Sequence, residues 1–210
     1  MRKIDSHMHT HFSADSEEAA RNHVIEAIDY GLDEIYFTDH RDFDYPGIPF
    51  DLNVPAYFEE IQALQMAFED KIVIKIGLEI GLDLDFVQEI NEFVAQAPFD
   101  FVIGSVHVIH QQEFCADDHR YFNGKTKLEA YQEYLDAILE CVQKFDCFNS
   151  LGHLDYIVRY APYQDKYIER SAFQQTLTDI LKALVEKNKA LEVNADYLTS
   201  RRLKAFIEIC

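Results

Sequence analysis

Basic side chains are scarce in this chain: Lys and Arg number 19 against 38 Asp and Glu, for a formal net charge of −19. A nucleic-acid binder needs a basic track along the phosphates, and so acidic a field repels both a polynucleotide and an anionic bilayer. Long apolar runs are missing too. No window approaches the ~18 uninterrupted apolar residues that a spanning helix requires. The start, Met1-Arg2-Lys3-Ile4-Asp5, leads directly into a strand candidate and has no apolar stretch of signal-peptide length. The four cysteines, Cys115, Cys141, Cys147 and Cys210, form no Cys-x-x-Cys pair. That removes zinc-knuckle and dithiol-redox readings and fits reduced thiols in a cytoplasmic protein. Neither Gly-x-Gly-x-x-Gly nor the Gly-x-x-x-x-Gly-Lys-Ser/Thr loop occurs, and no Ser or Cys nucleophile elbow is evident. Internal repeats, low-complexity segments and linkers are also lacking, so one domain spanning 1–210 is expected.

What is present points to a globular α/β chain. Apolar residues make up 48% of the sequence, with 16 Phe and 12 Tyr. Strand candidates lie at 3–9, 34–38, 72–79, 101–108, 150–156 and 190–194, mostly continuous apolar runs with Val and Ile, as in parallel strands buried on both faces. Helical patterns lie between them at 17–30, 56–69, 84–97, 128–145 and 171–187. The first stops at Gly31, the second follows Pro55 and the third stops at Pro98. The fourth opens on Thr126-Lys127-Leu128-Glu129, a capping box, and the fifth carries Leu177, Ile180, Leu181 and Leu184 on one stripe. Strand alternating with helix argues for parallel βα units in an open sheet or a barrel.

A barrel is favoured by where the chemistry falls. Asp5-Ser6-His7-Met8-His9, Thr38-Asp39-His40, Gly77-Leu78-Glu79, Ser105-Val106-His107 and Gly152-His153-Leu154-Asp155 each close a short apolar run. His7 and His9 sit two apart, so on a strand both imidazoles leave the same face. A single such His would read as a core or surface residue, but five strand ends each closing in His or Glu form a divalent-metal site at the C-terminal rim of a barrel. His7 and His9 can share one ion. Glu79 has two oxygens and can bridge two metals, and His107 and His153 would complete the second. His40 and Asp15 could hold a third, although Asp15, just before Ser16, reads equally well as a helix cap. Asp39 and Asp155 are candidates to orient neighbouring imidazoles. His with Asp and Glu suits zinc, manganese or iron, and two to three ions are expected.

These stretches resemble the polymerase-and-histidinol-phosphatase (PHP) superfamily of metal-dependent phosphoesterases, and more narrowly its histidinol-phosphate phosphatase branch. The resemblance runs through Ile4-Asp5-Ser6-His7-Met8-His9-Thr10, Phe37-Thr38-Asp39-His40, Gly77-Leu78-Glu79-Ile80-Gly81, Phe99 to His107, Leu151 to Tyr160 and Leu191-Glu192-Val193-Asn194. It implies a distorted TIM-like (β/α)7 barrel with a trinuclear centre that hydrolyses a small phosphorylated metabolite, L-histidinol phosphate above all. By motif position it assigns His7, His9 and Glu79 to one ion, Glu79, His107 and His153 to a second, and His40 with Asp15 to a third. Catalysis would rest on Glu79 and His107, with water attacking directly and no phosphoenzyme. Arg159 would grip phosphate oxygens through its planar fork, unless it is a surface arginine packed by Tyr160 and Tyr163. His110 and His119, in the loop after His107, read as substrate contacts, a proton donor or solvent-exposed residues.

One departure stands out. Members of the family continue to a last strand ending in Gly-Ser-Asp-Ala-His, whose Asp and His complete the first and third metals, and this sequence has no such motif before Cys210. The expectation is a C-terminally truncated barrel with impaired activity. Its open edge would be covered by a homo-oligomer or by residues 203–210 folding back, 203–209 being a helix candidate. Two other readings stay open: a degenerate metal-binding barrel serving as scaffold, and a PHP-type nuclease.

Overall fold

The computed structural model describes residues 2–116 and 118–193. The expectations placed on Asn194 and on the helix and fold-back at 203–210 lie outside these residues. The described residues divide into two compact units, one formed by 2–105 with 147–149, the other by 106–116, 118–146 and 150–193.

The first unit is a parallel sheet with helices. Its strands are β1 (Ile4–Met8), β2 (Glu34–Phe37), β3 (His40–Arg41), β4 (Val73–Gly81) and β5 (Phe101–Ser105); its helices are α1 (Ala20–Asp29), α2 (Val54–Ala67) and α3 (Val87–Ala95). β4 is the organising strand. It pairs in parallel with β2 through Glu34↔Val73 to Phe37↔Ile76, with β3 through His40↔Glu79, and with β5 through Gly77↔Phe101 to Gly81↔Ser105. Ile74, Ile76, Leu78 and Ile80 are buried on one face and Gly77, Glu79 and Gly81 on the other, the two-sided burial expected of a central parallel strand. α1 buries Ala20, Val24 and Ala27, and α2 buries Tyr57, Ile61 and Leu64. Tyr57 also donates its hydroxyl to the carbonyls of Phe37 (2.8 Å) and Gly77 (3.1 Å), tying helix to strands. Gly31, with φ of +67°, ends α1 in the left-handed conformation that a residue with a Cβ resists.

The second unit holds α4 (Lys127–Lys144), α5 (Tyr156–Tyr160) and α6 (Arg170–Glu186), the hairpin β6 (Val108–Ile109) with β7 (Gln112–Glu113), and the parallel pair β8 (Ser150–Leu151) and β9 (Ala190–Leu191). The capping box forms as read: Thr126 Oγ1 accepts from Glu129 N, and Glu129 Oε2 accepts from Thr126 N at 2.8 Å. Leu177, Ile180 and Leu184 of α6 are buried, as are Tyr134, Leu135, Ile138 and Val142 of α4. Lys187 Nζ donates to the carbonyls of Gln143 (2.7 Å) and Phe145 (3.0 Å), a cation at the carbonyl end of α4.

Several elements differ from their sequence-based outlines. The strand expected over 150–156 stops at Leu151, because Gly152-His153-Leu154-Asp155 turns the chain: Tyr156 N donates to His153 O at 2.9 Å and opens α5. The run expected over 101–108 breaks at Ser105 before β6 starts. β3 and the β6–β7 hairpin are too short to leave a hydrophobic period.

Candidate metal centre

In the first unit the register of β4 gathers the candidate ligands. Glu79 lies two residues before the end of β4, and His40 on β3 is its direct register partner. β1 shows a register irregularity between Asp5 and Met8 against β2, the kind of local break that re-aims side chains beside a site. His7 lies at this irregularity and His9 follows the strand. The result is a convergence on one atom. Glu79 Oε2 faces His7 Nε2 at 2.9 Å, His9 Nε2 at 3.0 Å and His40 Nε2 at 3.2 Å, and the His7 and His9 nitrogens are themselves 3.1 Å apart. The other carboxylate oxygen, Oε1, accepts from Ser105 Oγ at 2.6 Å. The Glu79 side chain is 1% exposed, which makes it the buried anion of the cluster.

Asp15 joins from the loop. Its Oδ2 is 3.1 Å from His9 Nδ1 and 3.5 Å from His40 Nε2, and its side chain is 44% exposed. The capping alternative for Asp15 falls away, since the residue preceding α1 is Ala19 and no side chain caps that helix. Asp39 does not orient an imidazole. It holds the loop after β1, accepting from Thr10 N (2.6 Å), Thr10 Oγ1 (3.1 Å) and Ser13 Oγ (2.9 Å), while Ser13 Oγ accepts from His40 N at 2.8 Å. Asp39 thus acts on His40 and His9 through the backbone that carries them.

The field of this cluster favours positive charge. Burial would lower the pKa of His9, but the Asp15 and Glu79 carboxylates outweigh it and the pKa is raised. Burial opposes protonation of His40 as well, yet the Glu79 charge with Asp15 and Asp42 carries its pKa well above the ordinary value. Asp15 responds in reverse: burial would raise it, but His40 and His9 hold it well below the usual carboxylate range. Carboxylates that draw protons onto neighbouring imidazoles would exchange those protons for a divalent cation. The donor spacing agrees. Ligands at right angles and ~2.0–2.2 Å from a common ion lie roughly 2.8–3.1 Å apart, and the three pairs among His7, His9 and Glu79 measure 2.9–3.1 Å. Imidazole nitrogen with carboxylate oxygen is a donor set for zinc and its transition-metal neighbours.

In the second unit His107 and His153 are both buried, with ring centroids 5.3 Å apart. Tyr156, the first residue of α5, stacks on His153 at 4.7 Å and meets His107 edge-on at 5.1 Å. Arg159 lies on the last turn of α5, exposed, with its guanidinium 5.9 Å from the Tyr160 ring centroid. His110 and Gln111 form the two-residue tip of the β6–β7 hairpin, both with positive φ, and His110 is exposed there. His119 is also exposed and precedes a 3-10 turn at Arg120–Phe122. Asp155 precedes α5.

Some contributors were not singled out from sequence: Ser105, Asp42, Ser13, Thr10 and Tyr156. A signal existed for two of them. Ser105 lies two before His107 and Asp42 two after His40, the strand spacing that had already paired His7 with His9.

The chain matches the family model described as PHP domain over residues 5–196. It is 53% identical over 206 residues to a histidinol-phosphatase of Lactococcus lactis subsp. lactis (strain IL1403), an alignment covering 98% of this chain and 76% of that relative. A probable histidinol-phosphatase of Clostridium acetobutylicum is 28% identical over 204 residues, 95% of this chain and 76% of the relative. Among solved structures, histidinol phosphate phosphatase from Lactococcus lactis subsp. lactis Il1403, complexed with zinc, L-histidinol and phosphate, superposes with a TM-score of 0.89 at 56% identity, covering 92% of this chain and 73% of that one. A putative histidinol phosphatase from Listeria monocytogenes gives a TM-score of 0.77 at 16% identity over 99% of this chain and 91% of that one, a likeness of fold alone. The α/β fold of PHP type expected from the motifs is therefore the fold of this chain. Among the described residues no helix is long and apolar enough to cross a membrane.

Proposed function

The chain belongs to the PHP domain family, and from that membership we propose that it is a metal-dependent phosphoric monoester hydrolase acting on L-histidinol phosphate, releasing L-histidinol and phosphate. The observation that carries the reading is the convergence of three imidazole nitrogens on Glu79 Oε2, in a chain closely similar to an enzyme of that name. His7, His9 and Glu79 would hold one ion and His40 with Asp15 another, while His107 and His153 contribute to a further one; zinc is the metal of choice, with manganese or iron as alternatives. Bound divalent ions supply charge neutralisation for a phosphate dianion and activate the attacking water.

The chain's own residues do the rest. Glu79 offers one oxygen to the imidazoles and has the other fixed by Ser105, so its carboxylate is pre-oriented before any ligand arrives. Asp39 keeps the His9 loop and the His40 backbone in register through Thr10 and Ser13. A chain of net charge −19 repels a phosphate dianion, so an arginine on the helix that follows His153 has a specific use in this reading. Arg159 grips phosphate oxygens in this reading, and His110 contacts the substrate.

The test is a phosphatase assay on the purified chain with elemental analysis of the same sample. Histidinol phosphate should be turned over in preference to other phosphomonoesters and to single-stranded DNA. Turnover should stop after chelation and return with added zinc or manganese. Undiminished turnover in a strong chelator would overturn the metal mechanism; preference for another ester would overturn the substrate.

A further inference from the structure

We propose that Asp42 is the positioning residue of His40, and that residue 81 is glycine so that the Asp42 carboxylate has somewhere to sit. The inference rests on reading His40 as a metal ligand.

Asp42 is buried, and its Oδ2 lies 3.3 Å from His40 Nδ1, while the other ring nitrogen, Nε2, faces Glu79 Oε2 at 3.2 Å. A neutral imidazole can offer a lone pair from Nε2 only while its proton is on Nδ1. A carboxylate this close to Nδ1 favours the proton on that nitrogen and so selects that tautomer. The Asp42 backbone is itself held: its N–H donates to Phe50 O at 3.2 Å, across an antiparallel bridge. Arg41 secures the same loop. Its guanidinium donates to the carbonyls of Asp42 and Phe50, both at 3.1 Å, and pairs with Asp51, while stacking 4.0 Å from the Phe43 ring centroid. Phe50 then packs edge-on against His40 at 5.0 Å. One short loop thus places a carboxylate at the far nitrogen of His40 and an aromatic ring beside it.

Gly81 supplies the space. A Cβ there would overlap Asp42 Oδ1 and come within 2.7 Å of its Cγ. Gly81 stands two residues after Glu79 on β4, on the same face of the strand. The strand that presents the buried carboxylate to His40 therefore also leaves the gap for the residue that orients His40.

A titration of metal-stripped chain with Zn2+ against a chromophoric chelator tests this, using Asp42→Ala, Asp42→Asn, Gly81→Ala and the Asp42→Ala/Gly81→Ala double variant. Asp42→Ala and Gly81→Ala should each weaken zinc binding by about 10–100-fold. The double variant should be no weaker than Asp42→Ala alone, because without the carboxylate a Cβ at position 81 strikes nothing. Asp42→Asn, which retains an acceptor and the shape of the side chain, should recover part of the loss and decides the matter if Asp42→Ala fails to fold. NMR of the zinc-loaded wild type should show a slowly exchanging His40 Nδ1–H proton that Asp42→Ala loses. Wild-type zinc affinity in Asp42→Ala or Asp42→Asn, losses that multiply in the double variant, or an unchanged Nδ1–H would each overturn the proposal. Wild-type chain that binds zinc but leaves histidinol phosphate intact would instead refute the functional reading and leave these comparisons standing.

Discussion

Replacing Glu79 by Gln strikes the centre at its buried charge. The variant keeps the length of the side chain but takes the negative charge from an oxygen faced by three imidazole nitrogens at 2.9, 3.0 and 3.2 Å. Loss of an outer hydrogen-bond partner commonly costs about 10–100-fold in metal affinity, and loss of a ligand costs at least the upper end. At about 1.4 kcal/mol per decade, a 100-fold loss is about 2.7 kcal/mol. Zinc that binds the folded chain alone adds this difference to stability, so zinc at roughly 100 times the wild-type Kd stabilises the wild type by about 2.7 kcal/mol and the variant by about 0.4 kcal/mol. For a chain of this size about 1 kcal/mol moves Tm by roughly 2–4 °C. Zinc should therefore raise the wild-type Tm by about 5–11 °C and that of Glu79→Gln by less than about 2 °C. The metal-free variant should also start lower, because removing one partner of a buried ionic cluster leaves the others uncompensated. The zinc-dependent rise, measured by thermal scanning of metal-stripped samples, is thus the quantity that decides. An equal rise in both proteins would refute Glu79 as a ligand.

Three further outcomes are expected. Ser105→Ala removes the hydroxyl that donates to Glu79 Oε1 at 2.6 Å, and should lower stability by about 1.5–3 kcal/mol in urea unfolding, the range for a hydrogen bond to a charged group. Thr126→Ala breaks the capping box of α4 and should cost about 1 kcal/mol in the same assay, with zinc binding unchanged. Tyr36 is pushed up to about 12, by burial first and then by Glu34, whose carboxylate accepts its hydroxyl at 2.6 Å. With a folded pKa above the unfolded value near ~10, its contribution is fully present below about pH 10 and is lost as pH rises toward 12. Tyr36→Phe should flatten the fall in stability over that interval, and the 295-nm titration difference between wild type and variant should place one tyrosine near 12.

Much of the site was legible because its parts obey short-range rules. His7 and His9 are two residues apart on an extended run, and that spacing alone puts both imidazoles on one face. Glu79, His107 and His153 stood out because each closes a short apolar run that reads as a buried strand, although the last of these strands ends at Leu151. Helix limits were read to within a few residues where a punctuating residue fixes them, as Gly31 does for α1 and Thr126 with Glu129 for α4. Asp15 could not be assigned locally, since an Asp before Ser is the same sequence whether it caps a helix or faces an imidazole. Asp39 was misassigned for the same reason: its nearness to His40 suggested a contact, and its hydrogen bonds run to Thr10 and Ser13 instead.

Residue types, their strand spacing and the acidic balance are properties of the linear chain, and from them came the α/β class and the expectation of a divalent-metal site. Which donors meet is set by strand register. The parallel register of β3 against β4 sets His40 opposite Glu79, and the irregularity in β1 brings His7 and His9 to the same oxygen. The gap above Gly81 admits the carboxylate of Asp42. A register is fixed by burial and hydrogen bonds summed along whole strands, so no local window of sequence contains it.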